Sequence, residues 1–333
     1  MKMKKLVLTA AALLATISLG ACGSSDNGSS GSSTSGSAAD SENVTVGVLQ
    51  LVEHDSLDAS YEGFLEGLAN NGYVEGENLT VNYQNAQNGQ DNLMSMSQQL
   101  VSEDPDLLLG IATLAAQSLV NQTTEIPITF TSVTDPVDAG LVASEEEPGG
   151  NVTGTTDMVP IDKQIALLLS IVPDAKTVGI MYNSGESNSK IQADLAQAAL
   201  EDAGIEVVVK TATSTNDVQQ VTESLTSQVD AIYIPTDNTF ASAAAIIGDV
   251  VKESKTPVVT GSVDQTTNGG LATYGIDYHS LGVQTGEMAA RILSGEATPA
   301  DTPVESATEL ELVINEDMAE ALGIDPSTIV APE

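Results

Sequence analysis

The stretch IPITFTSVTDPVDAGLVASEEEPGGNVTGTTD, Ile126 to Asp157, decides how the chain is read. Its first part, Ile126 to Ser132, is a proline-led β-branched run with the make-up of a strand. Asp135-Pro136 then bends the chain, the acidic loop through Pro148-Gly149-Gly150 turns it, and a short strand restarts. The whole segment reads as a seam, where one α/β half ends and a second begins. A seam of that kind requires similar units on both sides.

The flanking rhythm meets the requirement. Before the seam the pattern gives a strand at Val44 to Leu49 and a helix carrying Leu57, Tyr61, Phe64, Leu65 and Leu68, stopped by Asn70-Asn71-Gly72. A strand at Leu79 to Tyr83, a helix at Asp91 to Val101, a buried strand at Asp106 to Ala112 and a helix at Thr113 to Asn121 follow. After the seam comes a helix striped by Ile161, Ile165, Leu168, Leu169 and Val172, then strands at Thr177 to Tyr182, Glu206 to Thr211, Ala231 to Pro235 and Pro257 to Ser262. Helices at Ser189 to Ala203, Asp217 to Gln228 and Asn238 to Glu253 separate them. This is the alternation of a parallel, doubly wound sheet, written twice.

Short matches point the same way. Val46-Gly47-Val48 answers Val178-Gly179-Ile180, the strand after Asp106 answers the strand after Asp230, and Pro127 with Ser132-Val133 answers Pro257 with Ser262-Val263. The expected fold is α/β, with two Rossmann-like lobes on parallel sheets linked by about three crossovers: the seam, Leu271 to Ile276, and the region near Thr298 to Leu310. The expected first lobe is 43–157 plus about 275–297, and the second is 158–274 plus about 298–333.

The N-terminal region has a different make-up. Lys2, Lys4 and Lys5 precede a short apolar run, Leu6 to Ile17, as in a secretion signal over 1–21. Leu19-Gly20-Ala21-Cys22 resembles the lipobox of bacterial lipoproteins, which implies lipidation of Cys22, the only cysteine, and attachment to the membrane. Residues 22–42 are Gly/Ser-rich and read as a tether. Setting aside those three lysines leaves Lys163, Lys176, Lys190, Lys210, Lys252, Lys255 and Arg291 against 47 acidic residues. Nucleic acid is therefore excluded as a partner, and the acidity itself reads as solubility at a cell surface.

Open parallel sheets collect ligands at the carboxyl ends of their strands. The residues at those ends are Gln50, Glu53 and His54; Thr113 to Ala116, including Ala115; Thr131, Ser132 and Asp135; Asn183, Glu186, Asn188 and Ser189; Thr236, Asp237 and Asn238; and Gly261, Ser262 and Asp264. Asp277 follows a later strand. Hydroxyls, amides and carboxylates dominate this set. With two histidines, no HExxH, GxSxG or GxxxxGK[ST] pattern and no metal-ligand spacing, neither catalysis nor a metal or cofactor is expected.

The runs VLQLVEHDSLDASYEGF, GYVEGENLTVNYQNAQ, GIATLAAQS, PITFTSVTDPVDAGLV, PGGNVTGTTD, MYNSGESNS, IPTDNT and GGLATYGIDYHSLGVQTGEMAARIL resemble the substrate-binding lipoproteins of ABC importers, of the tryptophan/tyrosine-binding type. The resemblance covers Val44 to Gly323. It implies a hinge-closing, type I periplasmic binding protein-like fold, an ABC permease as partner, and an amino acid, aromatic by family, held in the cleft by a chain that works as a monomer. A carboxylate would be met by N–H groups and hydroxyls at Thr113 to Ala116 and Asn188-Ser189. Thr113 and Ser189 also suit the caps of their own helices, and the two roles are compatible. The ammonium acceptors on offer are Asp237, Asp277, Glu186, Asp135 and Glu53, with Asp237 foremost. Phe130, Tyr182, Tyr233 and Tyr274 are the aromatic residues near strand ends. A receptor for a different solute and a surface adhesin are the competing readings.

Overall fold

The computed structural model describes residues 43–332; the signal segment, Cys22 and the tether expected from the sequence lie outside the described residues. The first sheet is laid down by β1 (Val44–Gln50), β2 (Leu79–Asn85), β3 (Leu107–Ile111), β4 (Ile128–Val133) and β5 (Val152–Thr156), with α1 (Asp55–Asn70), α2 (Gln90–Ser102) and α3 (Thr113–Val120) between them. The chain then crosses over. It forms α4 (Ile161–Ile171), β6 (Thr177–Asn183), α5 (Ser187–Asp202), β7 (Glu206–Ala212), α6 (Thr215–Thr226), β8 (Ala231–Ile234), α7 (Asn238–Ser242), α8 (Ala244–Ser254), β9 (Val258–Thr260), α9 (Val263–Asn268) and β10 (Ala272–Gly275). Helix α10 (Tyr278–Leu293) returns to the first lobe, β11 (Glu305–Ser306) joins its sheet, and β12 (Glu311–Ile314) and α11 (Glu316–Leu322) finish on the second.

The strand orders are β2-β1-β3-β4-β5-β11 and β7-β6-β8-β9-β10-β12, the same plan twice. Pairing is parallel except for the antiparallel edge strand β12. Each sheet has its own apolar core. Val48, Leu109, Phe130 and Met288 belong to one, and Ile180, Ile232, Tyr233 and Val251 to the other. Strands β3 and β8 are buried along their whole length, which is why they read as unbroken apolar runs; β4 is equally buried but carries Thr129, Thr131 and Ser132.

The internal matches seen in the sequence occupy equivalent places. Asp106 Oδ2 accepts from Thr45 N at 2.7 Å, and Asp230 Oδ2 accepts from Lys176 N at 2.8 Å and Thr177 N at 3.0 Å. The carbonyls of Pro127 and Pro257 accept from Leu108 N and Ile232 N. A Cβ on Gly47 would stand 2.8 Å from Leu108 Cδ2, and one on Gly179 would stand 2.6 Å from Leu225 Cδ2. Glycine at both positions lets the layers close.

Helices α1 and α10 meet backbone to backbone. A Cβ on Gly63 would lie 2.0 Å from the His279 carbonyl oxygen, and one on Gly282 would lie 2.2 Å from that of Ser60. Helix α10 starts with Tyr278 and Leu281 in the second core and ends with Met288 and Ile292 in the first. It therefore ties the lobes together while remaining rigidly fixed to α1.

Several boundaries differ from expectation. The seam is not itself a crossover: β4 and β5 pair with each other, and the crossing occurs at its end, between Asp157 and Pro160. Leu271 to Ile276 is not a crossover but contains β10, with the crossing immediately after it. The region 298–306 lies on the first sheet, because β11 pairs with β5; a two-residue edge strand carrying Glu305 leaves no apolar signature. The expected helix over Asn238 to Glu253 is broken at Ala243, where φ is −111°.

Candidate functional site

The carboxyl ends of the second sheet carry a closed hydrogen-bond network. Glu186, 1% exposed, receives five donors. Asn183 Nδ2 (3.1 Å), Thr239 N (3.1 Å) and Thr239 Oγ1 (2.8 Å) reach Oε1, while Asn238 N (3.0 Å) and Asn238 Nδ2 (2.6 Å) reach Oε2. Asp237 caps α7: its Oδ1 accepts from Phe240 N at 2.8 Å, and its Oδ2 accepts from Asn183 N at 2.6 Å. Burial and the Glu186 charge push the Asp237 carboxyl up, against the N–H groups that hold it down. Ser262 caps α9, and Gln265 Nε2 donates to the carbonyls of Pro235 and Asp237.

The first sheet ends differently. Gln50 Nε2 donates to Asp58 Oδ1 at 2.7 Å and to the Val52 carbonyl, but Gln50 Oε1 is buried without a partner, as are His54 Nδ1 and Thr113 Oγ1. Ala112, just before α3, has φ +78°, and Ser132, at the end of β4, has φ +60°. Both are conformations that a side chain makes costly. Ala116 N bonds the Ala112 carbonyl, leaving the N–H groups before it without an acceptor inside the helix. Ser60 Oγ donates to the Ser56 carbonyl, so the Ser132 hydroxyl donates to Ser60 Oγ, 2.9 Å away.

The lobes touch. His54 Nε2 lies 3.3 Å from Asn238 Oδ1, Asn268 Nδ2 donates to Asp55 Oδ2 at 2.8 Å, Asn88 Nδ2 donates to Thr239 Oγ1 at 3.4 Å, and Gln192 Nε2 donates to Thr134 Oγ1 at 3.0 Å. Thr134 in turn donates to Asp157 Oδ1 at 3.0 Å, and Tyr278 OH donates to Asp157 Oδ2 at 2.6 Å. Asp157 and Tyr278 stand on two of the three connections. Burial pushes the Asp157 carboxyl up, with the two hydroxyls opposing the shift, and burial beside Asp157 pushes up the Tyr278 phenol.

Between the lobes His54, Ser56, Ser132, Asp157, Asn188, Thr236, Asp237, Asn238, Ser262, Gln265 and Tyr278 line a cavity of about 10 Å³, the room of about one water. Of the residues expected at the strand ends, His54, Ser132, Asn188, Thr236, Asp237, Asn238 and Ser262 are thus brought together. Asn183, Glu186 and Ser189 are buried just behind them, and Gln50, Thr113, Ala115 and Thr131 are buried at the first lobe's strand ends. Thr131 Oγ1 accepts from Thr155. Asp277 lies elsewhere: it caps α10 and faces a hollow with Gln284 and Thr308. Phe130 and Tyr233 are core residues; the cleft's aromatic lining is Tyr278. Asp157, Tyr278, Gln192 and Gln265 were missed, and only the crossover position of the first two could have drawn attention to them. A larger hollow of about 570 Å³ lies on the flank of α2 and α3, lined by Leu93, Met94, Leu114 and Leu141, away from the strand ends. Among the described residues no group of three or more His, Cys, Asp or Glu is placed to hold a metal.

Two α/β lobes of one plan, three connections and a polar cleft between facing strand ends define a periplasmic binding protein-like solute receptor. The chain matches the family described as ABC transporter substrate binding protein over residues 45–331, and it belongs to that family. Over 322 residues it is 40% identical to the tyrosine-binding protein of Clostridioides difficile (strain R20291), covering 96% of this chain and 93% of the relative. An ABC domain from Streptococcus pneumoniae in complex with L-Trp is similar at 40% identity and a TM-score of 0.83, covering 87% of this chain and 99% of that one. A ligand-free, open substrate-binding protein with adhesive properties from Clostridium difficile is similar at 42% identity and a TM-score of 0.67, covering 85% and 95%. The family consists of extracytoplasmic solute-binding proteins rather than enzymes, and they are expected to work with an ABC permease. Among the described residues no helix is long and apolar enough to cross a membrane.

Proposed function

We propose that this chain is a lipid-anchored receptor that closes over an aromatic amino acid and delivers it to an ABC permease. The observation that carries the reading is a contrast between the strand ends: Gln50, His54 and Thr113 at those of the first lobe each keep a buried polar atom without a partner among the described residues, whereas Glu186, Asp237 and Asn238 at those of the second are paired, the second lobe's one partnerless buried atom among the described residues, Thr273 Oγ1, lying within β10. Buried polar atoms without partners are costly unless a ligand supplies them. The ring preference is supported by the relatives, one named for tyrosine and one solved with L-Trp.

The first turn of α3, with its free N–H groups and Thr113, suits the ligand carboxylate. Glu186 is the acidic group of the opposite wall that suits an ammonium, whereas burial beside Glu186 pushes the Asp237 carboxyl up, toward its neutral form. The remaining 10 Å³ is far below what an aromatic amino acid fills, so the lobes part for entry. The closer match to the L-Trp complex than to the open relative, at nearly equal identity, supports a closed arrangement here. Cys22 supplies the anchor. Calorimetry against all twenty amino acids tests the ligand: saturable binding of L-tryptophan or L-tyrosine is expected, and no heat with any aromatic member removes the claim. Fatty-acid labelling that survives Cys22→Ser would remove the anchor at Cys22. Adhesion is a second reading, favoured by the adhesive properties of the 42% identical relative; it predicts surface binding that is indifferent to amino acids.

A further inference from the structure

We infer that Glu186 and Asn238 hold His54 as its Nε2–H tautomer, so that the bare Nδ1 accepts a hydrogen bond from the ammonium group of the bound amino acid. The inference rests on the amino-acid reading of the cleft and adds to it a positioning relay and a named acceptor atom.

Five donors converge on the two Glu186 oxygens, so Glu186 accepts at every contact. Asn238 must therefore turn its NH₂ group toward Glu186, at 2.6 Å, and its carbonyl oxygen toward His54. A carbonyl oxygen only accepts, so the proton shared across the 3.3 Å contact belongs to His54 Nε2. That leaves Nδ1 with a lone pair, and Nδ1 is buried with no hydrogen-bond partner among the described residues. The groups around it favour a cationic donor. Asp55 lies beside it on α1 and Glu186 faces it across the cleft; burial pushes up the carboxyls of Asp237, Asp157 and Asp264, the other acidic groups at or next to the cavity, so they add less.

The relay has a pH signature. Burial dominates at His54 and lowers its pKa below 6.5, against the raising effects of Asn238, Glu186 and Asp55. Closing the cleft therefore favours the neutral ring, and a proton added to the open form opposes binding. Affinity is expected to fall as pH drops below about 6.5.

The test uses the full chain carrying ¹⁵N-histidine, saturated with L-tryptophan and separately with L-tyrosine and L-phenylalanine. Long-range ¹H–¹⁵N correlation should show His54 protonated at Nε2 with a bare, hydrogen-bonded Nδ1 for all three ligands. His54→Ala should weaken all three by roughly ten- to a hundred-fold, as for a hydrogen bond to a charged group, and should abolish the acid loss. Asn238→Ala should move the His54 shifts toward a mixture of tautomers. A proton on Nδ1 in the bound state, or an unchanged Kd in His54→Ala, overturns the inference while the receptor reading stands. A loss confined to tryptophan and tyrosine also overturns it, because it would assign the donor to the ligand's ring. Absence of binding by all twenty amino acids overturns the reading and the inference together.

Discussion

At the ends of β6 and β8, Glu186 takes five donors and Asp237 takes two backbone N–H groups as it caps α7. At the ends of β1, β3 and β4, in the lobe built to the same plan, Gln50, His54 and Thr113 each keep a buried polar atom unpaired among the described residues, and Ala112 and Ser132 hold positive-φ backbone. The difference separates two jobs. At its strand ends the second lobe pairs Glu186, Asp237 and Asn238 within its own architecture; on the proposed function, the first leaves Gln50, His54 and Thr113 to be completed by the ligand. A paired polar group contributes to stability, whereas an unpaired one contributes to recognition.

Substitutions on the two sides should therefore register in different measurements. Glu186→Ala strips five donors of their acceptor and is expected to cost about 4 kcal/mol in denaturant unfolding. A loss below about 1 kcal/mol would show that the network is not structural. Thr113→Val, which removes an oxygen that has no partner, should leave unfolding within about 0.5 kcal/mol of the parent and weaken the amino acid about tenfold by calorimetry. A stability loss with intact affinity would reverse the assignment of roles. Asp106→Ala and Asp230→Ala probe what the lobes share. The first removes the acceptor of one N–H and the second of two, each at the start of a central strand, and each should cost about 1 kcal/mol; very unequal losses would break the equivalence of the halves.

Asp157→Asn gives the smallest effect, one of sign. The Asp157 carboxyl is pushed up by burial, so its contribution to stability is fully present below its unfolded value near 3.8 and is lost as pH rises through the folded value. The variant should equal or exceed the parent in stability at pH 7, and its advantage should shrink on acidification, as read from urea midpoints at both pH values. A variant weaker at pH 7 than at pH 4, relative to the parent, would mean that the carboxylate's bonds to Thr134 and Tyr278 outweigh its burial.

The duplicated plan was legible because it is local. Apolar runs, helix stripes and the Asp106/Asp230 and Pro127/Pro257 matches each sit within a few residues of what they specify. The strand-end residues were legible for the same reason, and seven of them line the cavity. The crossovers were harder to read. β11 consists of Glu305 and Ser306, and its place on the first sheet depends on pairing with Thr155 and Thr156, residues far back in the chain. Tyr278 with Asp157, and Gln192 with Thr134, are likewise contacts between distant positions, so no local pattern marks them. Asp237 shows a further limit. An aspartate after a buried strand fits both a ligand acceptor and a helix cap, and only the positions of Asn183 N and Phe240 N reveal that both its oxygens are occupied.

The central claim is that these unequal lobes close on an aromatic amino acid. Gln90 and Asn216, both exposed, begin the matching helices α2 and α6 on opposite lobes. With Cys22→Ser in place, Gln90→Cys and Asn216→Cys accept spin labels whose separation reports the cleft directly. A longer, broader distance is expected in the free chain, collapsing to a single shorter one with L-tryptophan or L-tyrosine. A distance that does not change with either ligand would contradict it.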